Sequence, residues 1–232
     1  MSVSIEVHRD RGAVAAYWPD ERTRAVVVAR EAGSVIGSVA VLDLGAEDPD
    51  LRFVGVVDGS VDVRAPLMRA AAPVAREAGG RTLRWIEEGG EMPLATAAAL
   101  EELGAVAGEE VHRWWRRDLP TTLSVASEAR VAERPTAEGA PFRVAIGGAW
   151  CDVEVGGDRA VLMHDREEEG ATEALAALVS MAVRRVSTEH PGVRVVETYV
   201  APEDSAYEEA LVSTGFAPTT RRAVEYRLAL HA

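Results

Sequence analysis

The residues best placed to do chemistry lie in the last third of the chain. In VRVVETYV, Glu197 and Tyr199 are two positions apart, so on an extended strand they share one face. A carboxylate on such a face can accept a proton. Tyr207 follows in DSAYEEALVSTG, one helical turn before Leu211 and on the same face, with a hydroxyl that can donate a proton. Upstream, DREEEGATEALAALV places Glu167, Glu168 and Glu169 just before Gly170 and an apolar helix. A glycine ahead of a helix N-terminus presents backbone N–H groups and positive dipole potential to an anion. Three carboxylates oppose an anion, yet acidic residues in a first turn are themselves favourable by about 0.3–1 kcal/mol each. Anion cradle and acidic helix start both stay open on these residues alone. His164, just before this loop, is either a proton shuttle or a turn histidine at a strand end.

Other chemistry is excluded or unsupported. Cys151 is the only cysteine, which rules out an internal disulfide and a cysteine-built metal site. The five histidines are scattered, with no pair at helical ligand spacing, so no metal is expected. A net charge of −13 argues against nucleic acid and anionic membrane surfaces as partners, whereas it would suit a cationic substrate. No apolar run approaches the roughly 20 residues of a membrane span, and MSVSIEVHRDRG lacks a signal peptide's apolar core; a cytoplasmic protein is expected. The chain has no Lys, Asn or Gln, an actinobacterial-like, GC-rich composition in which Glu can stand for Gln by codon drift.

The elements that must position these residues fall into two halves. Residues 1–118 read as the first, 119–141 as a linker rich in Pro, Ser, Thr and Ala, and 142–232 as the second. Each half shows the order β, β, β, α, β, α, β, with SIEV as an extra strand at the start. A stretch up to Arg22 has no defined pattern. LEELGAVAGEEVHRWWRRDL and LVSTGFAPTTRRAVEYRLAL superpose without a gap, matching Leu100 with Leu211, Gly104 with Gly215 and Trp115 with Tyr226. In HRWWRR, His112, Trp114 and Arg116 point one way and Arg113 and Trp115 the other. The tryptophans serve either as strand packing, sealing half-domains or a homodimer, or as a binding surface. The expected fold is α/β (α+β), two mixed sheets flanked by helices.

The second half resembles the GNAT superfamily of N-acetyltransferases, and the whole resembles a tandem GNAT protein. The resemblance rests on GATEALAALV, on VETYVAPEDSAYEEALVSTGFAPTTRR, and on PLMRAAAPVAREAGGRTLRWIE with LEELGAVA in the first half. It covers most of the chain from Thr23 onward. It implies transfer of an acetyl or other acyl group from coenzyme A to a small amine. Met163, Gly170, Ala171 and Thr172 would then bind the cofactor, and Glu197 and Tyr207 would be catalytic. The sequence also departs from the pattern. Glu167 stands where the family's loop opens with Arg or Gln, and Asp62 lies near a glycine position of the first half, followed by Pro66. Leu211 and Leu100 occupy the place of the family's acidic tyrosine. These departures favour a second possibility, an inert tandem GNAT serving as a binding or regulatory module.

Overall fold

A computed structural model describes residues 3–89, 92–119, 142–146, 148–166 and 172–230. Two compact units emerge. The first comprises Met1–Val111 with Ala223–Ala232, the second His112–Arg222.

The first unit opens with β1 (Val3–His8), β2 (Thr23–Glu31), β3 (Ser34–Asp43) and β4 (Phe53–Gly59) as an antiparallel run. The β2–β3 turn needs positive φ at Ala32 (49°) and Gly33 (86°), which explains the glycine. Helix α1 (Arg64–Glu77) crosses over so that β5 (Thr82–Gly89) pairs parallel with β4. Next come α2 (Leu94–Glu102) and β6 (Ala105–Asp118), whose first seven residues belong to this unit. The strand order is β1-β2-β3-β4-β5-β11-β6, and the end of β11 (Ala217–Ala229) supplies the sixth place. Leu230 N–H donates to the Arg81 carbonyl at 2.7 Å, tying the chain's end to β5. Leu228 and Leu230 join the core that α1 forms with Val27, Val39, Phe53 and Trp85.

The stretch without pattern before Arg22 has a structural job. Residues Gly12–Tyr17 form a 3-10 turn, and Val14, Tyr17 and Trp18 cover Val26, Val28, Ala40 and Leu42 on the other face of β2 and β3. Both faces of β2 are thereby buried, which accounts for its unbroken apolar run from Ala25 to Ala29.

The second unit holds β7 (Phe142–Ile146), β8 (Ala149–Gly156) and β9 (Arg159–Arg166), joined antiparallel, then α3 (Thr172–Glu189), β10 (Val195–Val200), α4 (Ser205–Ser213) and the start of β11. Its order is β11-β6-β10-β9-β8-β7, with residues 112–118 of β6 beside β10. Strands β9 and β10 are parallel, as the crossover through α3 requires. One core packs α3 and α4 against Trp115, Leu162, Val196 and Val200. The expected repeat shows in the caps. Helices α2 and α4 are each followed by a left-handed glycine, Gly104 (φ 89°) and Gly215 (φ 84°). No helix among the described residues is long and apolar enough to cross a membrane.

Candidate functional site

In both units the parallel ladder is short and its strands then part. In the second unit it runs from Val195↔Arg159 to Thr198↔Leu162. Beyond that, β9 stays paired with β8 through Arg166 and β10 with β6 through Val200. Thr198 Oγ1 donates to the Leu162 carbonyl at 2.9 Å, so that carbonyl points toward β10. Peptide groups alternate in direction along a strand, so the His164 peptide points the same way, into the space where the strands have separated.

In the first unit the ladder ends at Gly55↔Trp85, and side chains bridge the strands beyond that rung. Arg64, at the start of α1, donates from Nη1 to the Asp58 carbonyl on β4 at 2.9 Å. Its Nε lies 2.9 Å from Oε1 of Glu87 on β5. Trp85 Nε1 donates to the same carboxylate at 2.9 Å. Arg64 and Glu87 are both buried. A cation fills the start of the helix here, and its charge is already neutralised.

On the helix-covered side of the second unit, Tyr207 is fully buried, and its hydroxyl lies 3.1 Å from Thr198 Oγ1. Its ring stacks on His164 with centroids 3.5 Å apart. His164 Nε2 lies 3.0 Å from Asp204 Oδ2. The other carboxylate oxygen, Oδ1, caps α4 through the Tyr207 N–H and accepts from Arg166 Nη2 at 3.1 Å. Burial holds the His164 pKa below its ordinary value against the opposing pull of Asp204. Burial likewise pushes the Tyr207 phenol well above its usual range. Cys151 faces His164 across the β8–β9 ladder, but burial drives its thiol strongly upward as well, so it is held as a neutral thiol. The histidine thus stands between Asp204, its hydrogen-bond partner, and the Tyr207 ring on which it stacks. The turn reading of His164 gives way to this, because it sits inside β9 facing the core.

The opposite face carries the other predicted residues. Glu197 and Tyr199 project there, directly across from Arg116 and Trp114 of β6. Glu197 is mostly buried and pairs with Arg159 at 3.5 Å. Tyr199 lies 4.8 Å from His112 and 5.5 Å from Trp114 by ring centroids. The Arg221 guanidinium sits 3.8 Å over the Trp114 ring. Trp114 is 8% exposed, and its Nε1 is buried without an acceptor, which costs about 1–3 kcal/mol. Met163 is on this face too, one residue past the last rung. Glu197 and Tyr207 therefore lie on opposite faces of β10, with Thr198 between them. Leu211 and Leu100 are both buried. Glu167–Glu169, Gly170 and Ala171 lie outside the described residues, and Thr172 is the first residue of α3. Sequence reasoning missed Asp204, Arg64 and Glu87, whose partners are far away in the chain. The DS of EDSAY was the available signal for a helix cap.

No protein-family model matches the sequence, and no curated protein does. Solved structures do. A tandem GNAT protein from the clavulanic acid biosynthesis pathway, solved without AcCoA, is 17% identical; the match spans 93% of this chain and 86% of that one, at a TM-score of 0.65. A GNAT-family acetyltransferase from Colwellia psychrerythraea is 10% identical over 97% of this chain and 99% of its own, at a TM-score of 0.57. A GCN5-related N-acetyltransferase from Sphaerobacter thermophilus is 11% identical over 97% and 84%, at 0.50. The likeness establishes the class of fold: a tandem GNAT architecture of mixed sheets flanked by helices, as the resemblance implied.

Proposed function

We propose that the protein is an acyl-CoA-dependent acyltransferase acting on a small amine, and that its cofactor cleft is in the second unit. The carrying observation is the contrast between the two parted ladders. Past Thr198↔Leu162 the His164 peptide faces the separation between β9 and β10. At the same place in the first unit, Arg64 and Glu87 fill the space with an internal ion pair, and the residues there do not fit a polyanion. In the second unit Met163 and His164 would line the acyl arm, and Gly170 and Ala171 with Thr172, the first residue of α3, would hold the pyrophosphate. Bound there, acyl-CoA would supply an activated thioester. Glu197 takes the proton that an ammonium must lose before its nitrogen can bond to carbon. Tyr207 fits an anchoring role better than an acid's, since its hydroxyl is committed to Thr198 in the core.

A second reading, a binding module without transfer, draws on the missing acid. Leu211 has no donor and Tyr207 does not reach the Glu197 face. Titration calorimetry with acetyl-CoA, followed by hydrogen exchange, separates the two readings. Binding with protection at His164 and Tyr199 but not at Asp58 or Glu87, together with acetylation of an amine, supports the first. Binding without transfer to any amine supports the second. Absence of heat at millimolar acetyl-CoA overturns the cofactor assignment.

A further inference from the structure

The first unit holds a cavity of about 230 Å³ between α1, the end of α2 and the end of β11. We propose that it binds a small aliphatic carboxylate, with the charge on Arg69 and the carbon chain on a floor of leucines. The site is independent of the cofactor cleft proposed for the second unit. Helix α1 contributes Arg69, Pro73 and Arg76, which share one face because they are four and seven positions apart. Leu103 follows α2, and Leu228 and Leu230 close the cavity at the end of β11. Leu228 and Leu230 are buried, whereas both arginines reach solvent. Arg76 already has a partner in the chain, and Glu77 beside it is taken by Arg9 at 2.6 Å. Arg69 forms no ion pair among the described residues, so its charge is free to meet an anion. The cavity is also separate from the Arg64–Glu87 pair, since Arg76 is about 18 Å from Arg64 along α1 at roughly 1.5 Å per residue.

The second unit shows what fills such a place. In the superposed register Leu228 matches Arg117 and Leu103 matches Thr214. The backbones agree: Leu119 N–H donates to the Arg194 carbonyl ahead of β10 at 2.8 Å, as Leu230 N–H does to the Arg81 carbonyl ahead of β5 at 2.7 Å. In the second unit the Arg117 guanidinium donates to the Thr214 carbonyl behind α4. The first unit lacks that long cation, and Leu228 leaves an apolar hollow under the arginines of α1. At roughly 30 Å³ for each water-sized group, the hollow holds about eight non-hydrogen atoms, as many as hexanoate contains. A guanidinium pairs with a planar carboxylate through two parallel N–H···O bonds. A neutral alcohol would lose that pair, acetate would lose the floor, and an alkylammonium would be repelled.

The test is titration calorimetry of the whole chain with hexanoate, 1-hexanol, acetate and hexylammonium, at neutral pH and physiological salt, where the repulsion from a net charge of −13 is screened. Hexanoate is expected to bind in the millimolar range, as so few atoms allow, and about fivefold or more tighter than each of the other three. Arg69→Gln, a change on the exposed side of α1, should bring hexanoate down to the level of 1-hexanol. Ala72→Leu narrows the cavity without touching Arg69, so it should weaken hexanoate severalfold and leave acetate unchanged. Hydrogen exchange locates the site: hexanoate should slow the Leu103 and Leu230 amides. No saturable heat with hexanoate, or equal affinity for hexanoate and 1-hexanol, overturns the proposal, and that comparison uses the unmodified protein. Unchanged affinity in a folded Arg69→Gln also overturns it, as does protection confined to His164 and Tyr199, which would put the carboxylate in the second unit. Binding of acetyl-CoA bears only on the cofactor assignment, so the two readings fail separately.

Discussion

Replacing Glu87 by Gln isolates the charge of the ion pair that fills the first unit's separated strands. The Arg64 and Glu87 side chains are 7% and 8% exposed, with nitrogen and oxygen 2.9 Å apart. Gln at 87 keeps an oxygen for the Trp85 indole N–H, so the loss reduces to an uncompensated buried guanidinium. Breaking a buried pair from one side costs about 3–5 kcal/mol. A domain's whole stability is roughly 5–15 kcal/mol, so about a fifth or more should disappear. At a urea slope of about 1–3 kcal/mol per molar, the unfolding midpoint should fall by roughly 1–5 M. Adding Arg64→Met to Glu87→Gln removes the stranded charge and keeps an apolar stem. The double variant should regain about 2 kcal/mol or more, less than full recovery because the Asp58 carbonyl loses its donor. Urea unfolding followed by circular dichroism reads all three chains. A cost below about 1 kcal/mol for Glu87→Gln, or a double variant no better than the single, would refute the view that this space is closed by a mutually neutralised pair.

Three other outcomes are expected. Glu167→Arg with Glu169→Gly should tighten acetyl-CoA binding by about tenfold or more, since each like-charge contact near 4 Å opposes an anion by about 1 kcal/mol even in water; an unchanged calorimetric affinity would mean the loop is not the cradle. Because burial lowers the His164 pKa, the unfolded chain binds the extra proton first as pH falls, so the residue's contribution is complete above about 6.5 and is lost as pH drops from there toward the lowered folded value. The urea midpoint should fall between pH 7.5 and 5.5, and His164→Gln should flatten that slope; an equal slope in the variant would remove His164 as its source. Deleting residues 223–232 strips Tyr226 from its stack on Trp85 and buried Leu228 and Leu230 from the first unit's core; loss of the cooperative near-ultraviolet signal of Trp85 is expected, and a native-like spectrum would contradict it.

Much of the fold was legible because its signals are local. The β2–β3 turn announced itself through Ala32-Gly33, and the helix ends through Gly104 and Gly215. The shared face of Glu197 and Tyr199 followed from strand alternation alone, as did the opposite directions of Trp114 and Trp115. The 3-10 turn at residues 12–17 was not legible, since six residues without a period carry no signal. Its necessity was visible only indirectly, in an apolar run on β2 that demands cover on both faces. Site residues escaped where pairing is long-range. His164 and Asp204 are 40 positions apart and Arg64 and Glu87 are 23 apart, and no local pattern predicts such partners. Tyr207 and Leu211 were rightly placed on one helix face. That this face turns inward depends on Thr198, which spacing cannot reveal.

The first unit's make-up also sets an order of events during synthesis. Its core includes residues 228 and 230, which leave the ribosome after every residue of the second unit. Domains ordinarily mature from the N-terminus as the chain emerges. Here β5 must wait, with one edge open, for a strand end made after the whole second unit. During that interval Thr82–Gly89 presents an unpaired edge. A chaperone that shields strand edges would therefore find its main client in the half of the protein that was translated first.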